Sequence, residues 1–220
     1  MSHKVFAERM ERLEGRLLEM SHSAQSLVEE AVRYALTGDG SVASVLEGDN
    51  AIDREEVAIE EECIELLALH QPMASDLRLL VTVLKINSDL ERIGDHAENI
   101  AEAAERLRSS SQPPAMPPEV PEMSRIAMEM LRDALEALVH RNAEEAQRVR
   151  ERDDRVDSLH ESVFRVMLTH MLESNISACL QVILISRNLE RIADHATNIA
   201  EDVVFMVRGI TVRHGGVPPA

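Results

Sequence analysis

The sequence predicts an all-α protein built as two tandem, pseudo-symmetric three-helix bundles, six long helices in all. Three observations predict it: the residue mix, the placement of the helix breakers, and an internal repeat. Leu, Ala, Val, Ile, Met, Glu and Arg dominate, against three Phe, one Tyr and no Trp. That balance favours helices over strands. Eight Gly and eight Pro are too few for a turn-rich β protein, and most fall in a few clusters. The phrase "LERIGDHAENIAE", Leu90 to Glu102, returns as "LERIADHATNIAE", Leu189 to Glu201, with 11 of 13 letters unchanged.

The first helix is expected from about Val5 to Leu36, ended by "TGDG", and the second from about Val42 to Leu69, ended by "HQP". The third continues from about Ala74 to Leu107. Five prolines among serines in "RSSSQPPAMPPEVP" cannot continue a helix. Residues 109–121 therefore read as a linker between a first repeat, 1–108, and a second, 122–208, with 209–220 as a flexible tail. In the second repeat the helices are expected at Glu122 to His140, Ala143 to Leu172 and Ile176 to Val207. The break at His140–Asn142 rests mainly on symmetry with the first repeat.

The third helix of each repeat carries the clearest apolar stripe. Ile86, Leu90, Ile93, Ala97, Ile100, Ala104 and Leu107 alternate steps of four and three, as do Ile185, Leu189, Ile192, Ala196, Ile199, Val203 and Met206. Such a stripe faces neighbouring helices in a bundle.

The formal net charge of −17 argues against a nucleic-acid partner, which calls for concentrated positive charge. It attracts cations or basic protein surfaces instead. Cys63 and Cys179 fit no metal or redox motif and read as small buried hydrophobes in a reducing compartment. The first residues lack the apolar core of a signal peptide, and the longest apolar runs are too short to span a bilayer. A cytoplasmic protein is expected, reaching a membrane only through partners.

The repeated phrase places Glu91, Asp95 and Asn99 at steps of four, and likewise Glu190, Asp194 and Asn198. Each triplet shares one narrow stripe beside the apolar one. The second helix of each repeat carries its own pair, Asp49 and Asp53, then Asp153 and Asp157. In antiparallel hairpins turning near Gln71–Pro72 and Glu173–Ser174, the four carboxylates of each repeat fall at one level. A solvated acidic face, with Arg92 and Arg191 as surface ion-pair partners, is the plain explanation. A bound cation would turn mutual repulsion into a crosslink, and all-oxygen donors suit divalent or trivalent ions: magnesium, manganese or iron, with zinc and calcium as further candidates. Whether Asp49, which falls on its helix's apolar stripe, meets Asp95 depends on a helix rotation that the letters leave open. His96 and His195 read as histidines flanking the stripe and hydrogen-bonded to another helix, with orientation of a metal ligand as the second reading.

These phrases, the preceding "HQPMASDLR" and the duplicated organisation resemble the PhoU family of bacterial phosphate-signalling regulators, from about Phe6 to Val207. The resemblance implies multinuclear metal clusters on the bundle surfaces, with Asp49, Asp53, Glu91 and Asp95 in one repeat and Asp153, Asp157, Glu190 and Asp194 in the other. Asn99 and Asn198 are further candidates. It implies a negative regulator of phosphate uptake and of phosphate-starvation signalling. Its partners would be the ATPase subunit of a phosphate ABC transporter and a sensor histidine kinase, and a homodimer is allowed. The second repeat lacks a counterpart of "HQPMASDLR", so the two sites are expected to differ. A di-metal carboxylate enzyme would need two Glu-x-x-His pairs in a bundle core, and only Glu19 and His22 offer one, so no enzyme is expected. The remaining alternative is a metal-free acidic adaptor.

Overall fold

The computed structural model describes residues 3–172 and 175–212. Among the described residues seven α-helices follow one another: α1 (His3–Thr37), α2 (Val42–His70), α3 (Ser75–Arg108), α4 (Glu119–His140), α5 (Ala143–Val149), α6 (Asp153–His170) and α7 (Ile176–Arg208). A 3-10 turn at Arg150–Arg152 joins α5 to α6. The described residues contain no strand. Helices α1 to α3 form one three-helix bundle, and α4, the α5/α6 pair and α7 form the other.

Local chemistry sets the boundaries. The Ser41 hydroxyl accepts the Ser44 amide at the start of α2, and Asn142 accepts the Glu144 and Glu145 amides at the start of α5. Each satisfies amide donors that a first helical turn leaves open. Gln71 and Gly209 end α2 and α7 in the left-handed region.

Three expected bounds shift. Helix α4 begins at Glu119, inside the expected linker, because Pro121 falls in the first turn, where a missing amide costs nothing. The helix expected over Ala143–Leu172 is tightened at Arg150–Arg152, where Arg150 pairs with Glu201 and Arg152 with Asp133. Of the expected tail, Ile210 packs on the core and Val212 is buried. Residues 213–220, and the expected turn at Glu173–Ser174, lie outside the described residues.

The apolar stripes become the cores. Leu80, Ile86, Leu90, Ile93 and Ile100 of α3 are fully buried, as are Leu189, Ile192 and Ile199 of α7. Each such side chain contributes about 1.5–3 kcal/mol. Cys63 and Cys179 are buried and unpaired, and burial pushes the Cys63 thiol up to about 12.

The two bundles meet along α3 and α7, which run antiparallel. Lys85 reaches Asp202 at 2.9 Å at one end, and Asn175 reaches Ser110 at 3.4 Å at the other. At the centre the His96 and His195 rings stack. His96 Nδ1 lies 2.9 Å from Asn188 Oδ1, and His195 Nδ1 lies 2.8 Å from Asp89 Oδ1. Both histidines therefore bond to the other repeat.

Candidate metal centres

Asp49 sits on the buried stripe of α2 with Val45, Ile52 and Ile59, and is only 4% exposed. Its Oδ1 is buried without a hydrogen-bond partner. Burial, a shared hydrogen bond with Glu98 and the charges of Asp53, Glu98 and Asp95 push its carboxyl up to about 7. The rotation left open by the sequence thus brings Asp49 and Asp95 to one site. Glu91 is raised too, by burial and then by Asp95 and Asp53. The four predicted carboxylates of the first repeat share one field, and Glu98 joins them.

Gly94 makes this arrangement possible. A Cβ at that position would stand 2.6 Å from Asp49 Oδ1, inside contact distance. The absent side chain leaves the space into which the Asp49 carboxylate projects.

The second repeat assembles the same elements with different partners. Burial, Asp194 and Asp157 push Asp153 up to about 6, and the Thr197 hydroxyl donates to its Oδ1 at 3.3 Å. Asp157 and Glu190 are raised mainly by burial, with Asp194 adding to both. Arg191 pairs with Asp194 at 2.9 Å and with Glu190 at 3.5 Å, offsetting part of the charge. The imidazole of His160 acts on both Asp157 and Glu190, and its Nδ1 lies 3.0 Å from Ser186 Oγ. The matching position of the first repeat holds Glu56, raised by burial, Glu60 and Asp53.

The two asparagines go elsewhere. Asn99 is exposed and donates to the Asp95 carbonyl of its own helix. Asn198 turns across the repeat junction toward Asp89, 3.4 Å away. Both sit one turn beyond the aspartates, where the stripe has rotated away from the second helix.

Sequence reasoning missed Glu98, Thr197, Gly94 and His160. The signal was present: Gly94/Ala193 and Glu98/Thr197 are the two positions at which the repeated phrases differ, and all but Ala193 bear on an acidic site.

The arrangement passes a test for a hard cation. A buried, unpartnered carboxylate oxygen, a cradle that only glycine leaves open and a set of mutually repelling carboxylates all gain from positive charge. Among the described residues, no three His, Cys, Asp or Glu side chains already stand around one point at ligand spacing. Side-chain rotation would have to complete the coordination. Asp49, Asp53, Glu91, Asp95 and Glu98 would hold the ion in one repeat, and Asp153, Asp157, Glu190, Asp194 and His160 in the other.

Two three-helix repeats, each with an acidic cluster between its second and third helices, define a duplicated helical-bundle protein. Comparison with known proteins gives the same answer. The model of the PhoU domain matches residues 17–104 and 120–203, and the chain belongs to the PhoU family. It is 36% identical over 216 residues to a phosphate-specific transport system accessory protein PhoU homolog of Rhizobium meliloti, covering 95% of this chain and 91% of that one. A Pseudomonas aeruginosa protein of the same description is 38% identical over 215 residues, covering 96% and 89%. The crystal structure of PhoU from Pseudomonas aeruginosa superposes with a TM-score of 0.89 at 38% identity, covering 93% of this chain and all of that one. The phosphate transport system regulatory protein PhoU from Streptococcus pneumoniae gives 0.85 at 28% identity, covering 94% and 99%. Among the described residues no helix is long and apolar enough to cross a membrane.

Proposed function

We propose that the chain is a metal-binding accessory protein of a phosphate-specific transport system, acting in the cytoplasm as a negative regulator of phosphate uptake and starvation signalling. The near full-length likeness to proteins described as accessory or regulatory in phosphate transport supports the transport role. Contacts with the transporter's ATPase subunit and a sensor histidine kinase follow from the family resemblance. The chain acts by docking and by holding cations.

One observation carries the metal reading: Asp49 keeps a carboxylate oxygen buried and unpartnered amid Asp53, Asp95 and Glu98. A cation there relieves the desolvation and the repulsion together. The cation is structural, tying α2 to α3 and α6 to α7. It stabilises the fold by linkage, about 2.7 kcal/mol at a hundredfold excess over its Kd.

Mass spectrometry of the purified chain for iron, manganese, zinc and magnesium, beside an Asp49→Asn/Asp153→Asn variant, tests this reading. Stoichiometric metal in the parent, lost in the variant, and a lower melting temperature after chelation are expected. A parent that binds no metal after incubation with manganese or iron, and melts unchanged with chelator, overturns the metal centres and leaves an acidic adaptor. The transport role is tested separately. In a bacterium lacking its own PhoU, the chain should restore repression of phosphate uptake in phosphate-rich medium, and failure there removes the regulatory assignment.

A further inference from the structure

One buried contact separates the two acidic centres beyond their carboxylates. His160 on α6 is half-buried, and its Nδ1 lies 3.0 Å from Ser186 Oγ on α7. Ser186 is fully buried, and its hydroxyl donates to the Ile183 carbonyl at 2.9 Å. A hydroxyl has a single proton to give, and a carbonyl can only accept. The Ser186 proton is therefore committed to Ile183, and the bond to His160 must run the other way. Nδ1 carries the imidazole proton and donates it to Ser186 Oγ. In the neutral ring that leaves the lone pair on Nε2.

The ring is held beside the acidic groups of its own repeat. It stands close enough to Asp157 and Glu190 to lower both carboxyls against the rise that burial imposes. Nε2 makes no hydrogen bond among the described residues. The equivalent pair in the first repeat, Glu56 and Asn87, is connected differently. Asn87 is 1% exposed and gives its Nδ2 to the backbone carbonyl of Glu56 at 2.9 Å, not to the Glu56 carboxylate. Both positions thus change together between the repeats. Where the α2 residue is a carboxylate, its α3 neighbour bonds backbone; where the α6 residue is an imidazole, its α7 neighbour supplies a hydroxyl that takes the ring proton.

We propose that Ser186 is the positioning residue that makes His160 a nitrogen ligand, so that the second centre takes zinc at Nε2 together with Asp157 and Glu190. This rests on the metal-binding reading of both centres. A histidine that binds metal gives its other ring N–H to an acceptor, which fixes the tautomer and strengthens the donor nitrogen. Here the acceptor is a serine hydroxyl whose own proton is already donated to Ile183. The first centre, with Glu56 in place of the imidazole, offers oxygen alone. Nitrogen favours zinc over magnesium and manganese, so Ser186 acts on selectivity without touching the cation.

The test is nitrogen NMR of the histidine rings in the metal-free full chain at mildly alkaline pH, beside calorimetric titration with zinc in excess manganese. His160, assigned by its loss in His160→Gln, should show the Nδ1–H tautomer, and zinc should move its Nε2 resonance. Ser186→Ala should abolish the tautomer preference and weaken zinc about tenfold, with manganese at the first centre unchanged. Ile183 keeps its helical amide partner in that variant, so the helix is retained. Asn87→Ala, at the equivalent buried position, should leave zinc affinity alone. An Nε2–H tautomer in the parent, or zinc bound as tightly by Ser186→Ala, would overturn the part given to Ser186 while leaving the centres in place. A parent that binds no metal overturns the metal reading, and this proposal with it.

Discussion

His96 and His195 stack across the repeat junction, ring centroids 5.4 Å apart and planes 30° from parallel. Each follows directly on the aspartate of its repeated phrase, and each points to the opposite repeat rather than to its own acidic site. The phrase "DHA" therefore serves two surfaces: the aspartate faces the second helix of its own repeat, and the histidine faces its counterpart.

The His96 imidazole is held below its ordinary value, chiefly by burial, while the hydrogen bond to Asn188 partly offsets this. The unfolded chain then takes up a proton before the folded one does. Stability from this group is complete above about pH 6.5 and is lost as pH falls below that value. His96→Gln should flatten the fall in melting temperature between about pH 6.5 and 5. An unchanged pH profile would mean that the stack carries no titration penalty.

At Asp49 the sign is opposite. Its folded value of about 7 lies above the ordinary 3.8, so the native state keeps a proton that the unfolded chain releases. Without metal, stability from this group is complete below about pH 4 and declines as pH rises to about 7. Asp49→Asn should raise metal-free stability by about 1–3 kcal/mol at about pH 8 and change little at about pH 4. With metal present the same substitution should destabilise. Denaturant melts at both pH values, with and without manganese, measure all four states, and a loss of stability without metal at the higher pH contradicts the account.

Much of this fold could be read from letters because periodicity reports burial. The stripes from Ile86 to Leu107 and from Ile185 to Met206 run through the observed cores of α3 and α7, departing only at the half-buried Met206. The linker's end was misplaced because Pro121 reads as a breaker, although a first turn tolerates it. That the i,i+4 carboxylates of each repeat come together was legible in their spacing. Glu98 was signalled only by the difference between the repeated phrases and His160 by nothing, because each reaches its cluster from a neighbouring helical row whose direction depends on how two helices rotate against each other. Asn99 and Asn198 fitted the spacing but bond elsewhere for the same reason.

Gly94→Ala should be costly where helix propensity alone would call it favourable. Alanine gains about 1 kcal/mol in an ordinary helix interior, but here its Cβ would collide with Asp49 Oδ1. Net destabilisation of about 1–3 kcal/mol and weaker metal retention in the first repeat are expected. The mirror change, Ala193→Gly, should cost only about 1 kcal/mol and leave metal content alone. Equal effects of the two changes on bound metal would show that Gly94 plays no special part.

The two centres should also differ in taste. His160 offers a nitrogen beside Asp157 and Glu190, where the first repeat offers Glu56. Imidazole suits zinc and iron better than magnesium. His160→Gln should therefore reduce zinc bound at one centre about tenfold or more, the usual scale for a ligand shell, while manganese at the other is unchanged. Competition between zinc and manganese, followed by metal counting, separates the outcomes; uniform loss of both metals would refute distinct preferences.

The antiparallel contact of α3 with α7 has a consequence for the chain's symmetry. A surface joining two like helices in opposite directions is self-complementary: Asp89 meets His195 as Asn188 meets His96. The likeness is confined to the centre: the Lys85–Asp202 pair has Leu184 and Ala103 at the equivalent positions and is not repeated. The present chain thus joins two like halves, through residues 109–118, around a pseudo-twofold relation at its centre. Within that shared frame the halves differ at Gly94 and Ala193, and at Glu98 and Thr197, so each holds its charge differently.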